Sequence, residues 1–268
     1  MSRGRSAFLV SVLASVVLSA AAGTGSAARP GLLLPDLRQL APGPPRVIAS
    51  SDGRLHVGFA SSVANVGTGP LVVVGERTES GLMRADQVVR SPDSGAARFR
   101  NIGSLRYTRG GGHAHWHFLP FETYELAQLG KDSVTLWGRK AGFCLGDGFQ
   151  ARVRPPLAAK PPHPVFKTSC GRGAPELLRL VQGISVGYGD KYGAGLAGQS
   201  FDVTGLPEGE YLVVHRVNRG RRLRERSYAN NVGALRMRLE WPRGPDERPR
   251  VIPIRRCSGS LACGRRGE

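Results

Sequence analysis

The 268-residue chain has no internal repeat, and beyond its first 30 residues no apolar run long enough to cross a bilayer. A repeat array and a helical membrane protein are therefore excluded for the body of the chain. Helix signals are also scarce. The best window, "APELLRLVQGI", is bounded by Pro175 and Gly183 and is too short for three amphipathic turns. Acidic residues are few, 20 against 38 lysines and arginines, which leaves a formal charge of +18. Histidine occurs six times and cysteine four.

What is abundant is strand signal. "LHVGFASSVANVG", "GPLVVVGE", "HAHWHFLPFETYEL", "VTLWG", "SFDVT", "YLVVHRV" and "ALRMRLEW" are short, rich in β-branched and aromatic residues, and punctuated by glycine and proline. They predict an all-β fold, a β-sandwich core with long irregular loops and few short helices. "RPPLAAKPPHP", residues 154 to 164, holds too many prolines for a strand interior or a helix. In "NVGTGPL" and "YANN", Asn65, Asn230 and Asn231 read as turn residues bonding nearby backbone.

The N-terminus, with Arg3 and Arg5 before an apolar run and small residues up to Ala27 and Ala28, has the pattern of a secretory signal peptide. A membrane anchor is the alternative, but the Ala7 to Ala22 core is short for a span. The expected organisation is a signal peptide over 1–28, a domain over 29–241, and a basic Pro/Arg-rich tail over 242–268, tied down only by Cys257 and Cys263. An exported chain with an even number of cysteines is expected to form disulfides. Of the three pairings, Cys144–Cys170 and Cys257–Cys263 close the short local loops. Export also turns the positive charge away from nucleic acid and toward an anionic wall or matrix polymer. A merely arginine-solvated surface explains the charge equally well.

Half of the histidines fall in "HAHWH", as His113, His115 and His117. In a strand, side chains two apart share a face, so three imidazoles lean toward one point while Trp116 and Phe118 point the other way, into the core. Neutral imidazoles suit copper, zinc, iron and nickel. Spacing alone does not separate copper from zinc, and a row of histidines on a solvated strand face is the bland alternative. His56, His163 and His215 are isolated, and His215 in "YLVVHRV" reads as a satisfied structural histidine.

Together with its surroundings the segment resembles the lysyl oxidase family. The matching pieces run in the family's order: "LLPDL" at 33 to 37, "VANVGTGPL" at 63 to 71, "HAHWHF" at 113 to 118, "FETYEL" at 121 to 126, "KAGFCLGD" at 140 to 147, "GDKYGA" at 189 to 194, "FDVTGLPEGEYLV" at 201 to 213 and "YANN" at 228 to 231. The resemblance implies copper held by His113, His115 and His117, and a lysine tyrosylquinone cofactor formed from Lys140 and Tyr192. It makes Asp190 the candidate catalytic base. A turn-capping role for Asp190, a surface position for Lys140 and a packing role for Tyr192 are the alternatives. The animal enzymes carry more cysteines near the copper segment, and Thr123 stands where they have a histidine.

The implied activity is oxidative deamination of primary amines, peptidyl lysine among them, to aldehydes with release of ammonia and hydrogen peroxide. Such a reaction needs an electrophilic cofactor, since no ordinary side chain accepts two electrons from a C–N bond. Lys140 must add to the tyrosine ring as a neutral amine, which predicts an interior position facing the metal. Two other classes stay open on the residues alone: a zinc-dependent hydrolase using the same histidines, and a non-catalytic exported sandwich that binds metal or polyanion. Glu122 and Glu225 read either as surface charges or as partners of the site.

Overall fold

The computed structural model describes residues 31–264 except 80, 94, 111–112, 131–134, 139–141 and 246, and only the backbone at 110 and 113. The expected signal peptide, Lys140 and the side chain of His113 lie outside the described residues. Among these residues are seventeen strands and a single 3-10 turn, Ala262–Gly264. The all-β expectation holds. No helix among the described residues is long and apolar enough to cross a membrane.

Two five-stranded antiparallel sheets dominate. In the first, the strands run in the order Arg179–Ile184, Leu71–Glu79, Leu82–Ser91, Gly95–Gly110, His113–Leu119. The second runs Thr135–Trp137, Glu122–Gln128, Gly209–Val217, Val232–Glu240, Arg250–Cys257. Only Pro120 and Phe121 separate His113–Leu119 from Glu122–Gln128, so the chain passes from the edge of one sheet into the other within two residues, through a cis Leu119–Pro120 bond. Alternation is what makes these strands. In Glu122–Gln128, every second residue is buried, and Glu122, Tyr124, Leu126 and Gln128 all face inward. A smaller sheet of Leu37–Gln39, Ser61–Asn65, Tyr188–Tyr192 and Phe149–Gln150 carries Tyr192.

A single apolar cluster takes side chains from both large sheets, Met83, Leu105, Trp116 and Phe118 from one and Tyr124, Val213, Leu235 and Met237 from the other. Trp116 and Phe118 have no exposed surface, as their alternation with the histidines predicts. Asn65 is fully buried and serves four backbone groups. Its Oδ1 accepts from the N–H groups of Asp36 and Gly67, and its Nδ2 donates to the carbonyls of Gly69 and Ile184. That turn admits only glycine at 69, where a Cβ would meet the Leu33 carbonyl at 2.0 Å.

The window with the strongest helical signal, itself too short for an amphipathic helix, is a strand over Arg179–Ile184, paired with Leu71–Glu79 along its whole length. Two local expectations are corrected. The segment after Pro242 is more than a tail tied by one disulfide. Arg250–Cys257 forms the outer strand of the second sheet, and Pro253 is accommodated because the strand lies at an edge and beside a register shift at Arg236/Met237. Asn230 and Asn231 bond carboxylates, those of Asp36 and Glu225, rather than nearby backbone. Both expected disulfides are present, Cys144–Cys170 and Cys257–Cys263.

Candidate functional site

The histidine strand His113–Leu119 is the last strand of its sheet, paired on one side only, with Gly95–Gly110. Its outer edge would be left with unmade backbone hydrogen bonds. Two irregular segments cover it. Phe143 exchanges both backbone hydrogen bonds with Phe118, at 2.8 and 3.1 Å, and the carbonyl of Cys170 accepts from the N–H of Trp116 at 3.0 Å. The Cys144–Cys170 disulfide joins these two covering segments. Buried Gln182 adds a third tie, donating to the Trp116 carbonyl and accepting from the N–H of Leu145.

On the face opposite Trp116 and Phe118, the Nε2 atoms of His115 and His117 come within 2.8 Å of each other, with ring centroids 4.6 Å apart. Both histidines are buried, which rules out the solvated strand face for these two. The Nδ1 of His117 lies 3.1 Å from the Oγ1 of Thr108 on the neighbouring strand, which aims the ring's other nitrogen at His115. No group of three or more metal-binding side chains gathers among the described residues. His113 belongs to the same strand, two residues before His115, but its side chain lies outside them.

The donor set fits a first-row transition metal. Two imidazole nitrogens converging on one point are ligands that copper, zinc, iron or nickel would take.

Gly142 of the covering segment lies against the histidine strand. A Cβ there would stand 3.1 Å from the Cβ of His117. Two residues on, the carbonyl of Cys144 accepts a hydrogen bond from the hydroxyl of Tyr192. The Tyr192 ring meets that of Phe143 edge-on, centroids 4.6 Å apart and planes at 90°. The run Gly142 to Cys144 thus touches His117 at one end and Tyr192 at the other. One residue, Ala141, separates it from Lys140 in the chain.

Tyr192 is almost wholly buried at the end of the Tyr188–Tyr192 strand, opposite Ser61. Burial, with the neighbouring carboxylates of Asp190 and Glu122, raises its phenol well above the ordinary tyrosine value. Asp190 is buried on the same strand, and its Oδ1 accepts from the N–H of Lys191 at 2.9 Å.

Glu122, which the sequence left open as a surface charge or a partner of the site, is buried in a polar network. The buried carboxylate of Glu122 accepts from the hydroxyls of Ser61 at 2.7 Å and Tyr124 at 2.6 Å, and Ser61 Oγ is 3.1 Å from the Nδ1 of His215. Burial and Glu122 also raise the Tyr124 phenol. His215, fully enclosed, is pushed down to about 3 by burial, so its ring is neutral. It is structural as expected but not fully satisfied, since its Nε2 has no hydrogen-bond partner among the described residues. Ser61 is 61 residues from Glu122 and 154 from His215, and no local pattern signals such a pairing.

Residues 167–242 match the family model described as lysyl oxidase. Protein-lysine 6-oxidase of Homo sapiens is 30% identical over 124 residues, 45% of this chain and 25% of that protein. Lysyl oxidase homolog 2 of Gallus gallus is 29% identical over 136 residues, 49% of this chain and 15% of its own length. Over this part of its length the chain is similar to the lysyl oxidase family. Protein-lysine 6-oxidase of Sus scrofa, 29% identical, is matched over 42% of its length, so the alignments span less than half of each of these relatives. The lysyl oxidase match includes Asp190, Tyr192 and the Gly209–Val217 and Val232–Glu240 strands, and begins after the histidines and Lys140.

Proposed function

We propose that the chain is a copper-dependent amine oxidase that makes its own quinone and oxidises primary amines to aldehydes, releasing ammonia and hydrogen peroxide. The observation that carries this reading is the run Gly142 to Cys144, packed against His117 at one end and hydrogen-bonded to Tyr192 at the other. His113, His115 and His117 would hold the copper. A lysine tyrosylquinone joining Lys140 to Tyr192 would supply the electrophilic carbonyl and the two-electron sink that amine oxidation requires.

The chain's own residues supply position and electrostatics. Thr108 orients His117, and the Cys144–Cys170 staple holds the edge of the histidine strand. Cys144 fixes the Tyr192 ring through its hydroxyl, and Phe143 packs against the face or edge of the same ring. Phe143, Cys144 and Leu145 are buried. Asp190, buried beside Tyr192, is the carboxylate placed to remove the α-proton of a bound amine.

The relatives' name, protein-lysine 6-oxidase, makes peptidyl lysine the first substrate to test. Two disulfides suit an oxidising, extracellular setting, in line with the expected signal peptide. The test is amine-dependent peroxide release by protein matured aerobically with copper, with zinc-loaded protein and Lys140→Ala as controls. Peroxide release from the copper form alone, abolished in Lys140→Ala, supports the reading. Peroxide-free hydrolysis by the zinc form would replace it with a zinc hydrolase.

A further inference from the structure

Residues 218 to 227, "NRGRRLRERS", form an irregular loop between the Gly209–Val217 and Val232–Glu240 strands. Its buried residues are fastened one by one. Asn218 bonds both backbone groups of Leu223, accepting at Oδ1 from its N–H and donating Nδ2 to its carbonyl. Leu223 is itself sealed in the core. Fully buried Gln87, from the first sheet, clamps both backbone groups of Arg224, at 2.7 and 2.9 Å. Glu225 turns inward and accepts from Asn218, Asn231 and the N–H of Leu37.

The residues between these anchors are arginines, and they face out. Arg221, Arg222 and Arg224 line a surface hollow of about 450 Å³ with Arg98 and Arg100 of the adjoining strand. Arg98 is matched by Glu76 and Asp86, but Arg100, Arg221, Arg222 and Arg224 have no carboxylate partner among the described residues. Gathering four unneutralised guanidinium groups, three on the loop and Arg100 on the Gly95–Gly110 strand, costs electrostatic self-repulsion. Core packing does not require it, because these four side chains are exposed.

We infer that this hollow is a docking surface for an anionic polysaccharide. Guanidinium forks pair with sulfate, phosphate and carboxylate groups through two parallel hydrogen bonds, and a preset loop loses little entropy when they form. The surface offers nothing for a lipid bilayer to take up, since none of the exposed large apolar side chains lines it. It offers no open stacking platform for bases either. The guanidinium of Arg224 lies over Phe99 and that of Arg221 over Tyr228. The inference is independent of the oxidase reading, as it uses none of the residues placed in that site.

The test is binding of the full chain to dextran sulfate, carboxymethyl dextran and neutral dextran. The wild type is compared with Arg100→Glu/Arg222→Glu/Arg224→Glu and with a charge-matched control, Arg243→Glu/Arg248→Glu/Arg255→Glu, after thermal melts show all three folded. The expected result is salt-sensitive binding to one or both charged dextrans, weakened about tenfold or more in the loop variant and clearly less in the control, in keeping with the loss of three ionic contacts. Which charged dextran binds tells sulfate from carboxylate recognition. Equal losses in the two variants would assign the binding to overall charge and overturn the inference. So would binding of neutral dextran as strong as the charged forms, or a single-stranded RNA probe that competes at lower concentration than either polymer.

Discussion

The hydroxyl of Tyr192 donates its hydrogen bond to the carbonyl of Cys144, in the segment that seals the edge of the histidine strand. The tyrosine is thereby coupled to the backbone that also packs on His117. Tyr192→Phe keeps the ring but leaves a buried carbonyl without its donor, which costs about 1–3 kcal/mol. Denaturant unfolding measures the loss, and a stability equal to the wild type would show that the bond carries no weight. The same variant should fail quinone staining.

Thr108→Val removes the partner of His117 Nδ1 while keeping the side chain's shape. Partners that orient a ligating histidine are worth about 10- to 100-fold in metal affinity. Copper affinity, read by competition with a chelator, should fall by that factor while the melting temperature of the metal-free protein changes little. An unchanged affinity would mean that Thr108 does not orient the ring.

The two disulfides close loops of unequal length, with cysteines 26 and 6 residues apart. By loop-closure entropy, losing the first costs about 3.5 kcal/mol and losing the second about 2 kcal/mol. Serine substitution at Cys144 and Cys170 should also weaken copper binding, because the covering of the histidine strand is released. Substitution at Cys257 and Cys263 should leave copper binding intact. Equal effects of the two pairs on copper would argue against the edge-sealing role.

Two buried groups give stability opposite pH dependences. Burial raises the Glu225 carboxyl from 4.5 to about 7, so its contribution is complete below the unfolded value of 4.5 and is lost as pH rises through about 7. Burial lowers His215 from 6.5 to about 3, so its contribution is present above 6.5 and is lost as pH falls toward 3. Melting curves between about pH 5 and about pH 8 should show the wild type losing stability relative to Glu225→Gln as pH rises, by up to about 3 kcal/mol. Parallel profiles would contradict a raised Glu225.

Much of this architecture was legible in the residues because it rests on local patterns. Alternation placed "HAHWHF" on a strand with Trp116 and Phe118 inward, and short separation paired the cysteines correctly. The strand over Arg250–Cys257 escaped notice because five of its eight residues are arginine, proline or cysteine and its partner strand, not its own pattern, calls it into the sheet. Long-range chemistry was the least legible. The bonds of Glu122 to Ser61 and of Ser61 to His215 exist only because three strands from distant parts of the chain converge. Arg221, Arg222 and Arg224 read as part of a diffuse positive charge until the clamps from Asn218 and Gln87 define the loop that carries them.

The central claim is that Lys140 and Tyr192 become one cofactor beside a histidine-bound copper. Peptide mass spectrometry of protein matured aerobically with copper tests it most directly. The account predicts a single cross-linked species containing both residues, absent when copper is withheld and absent in Lys140→Ala. Peptides carrying Lys140 and Tyr192 that run separately and unmodified in the copper-matured protein would contradict it.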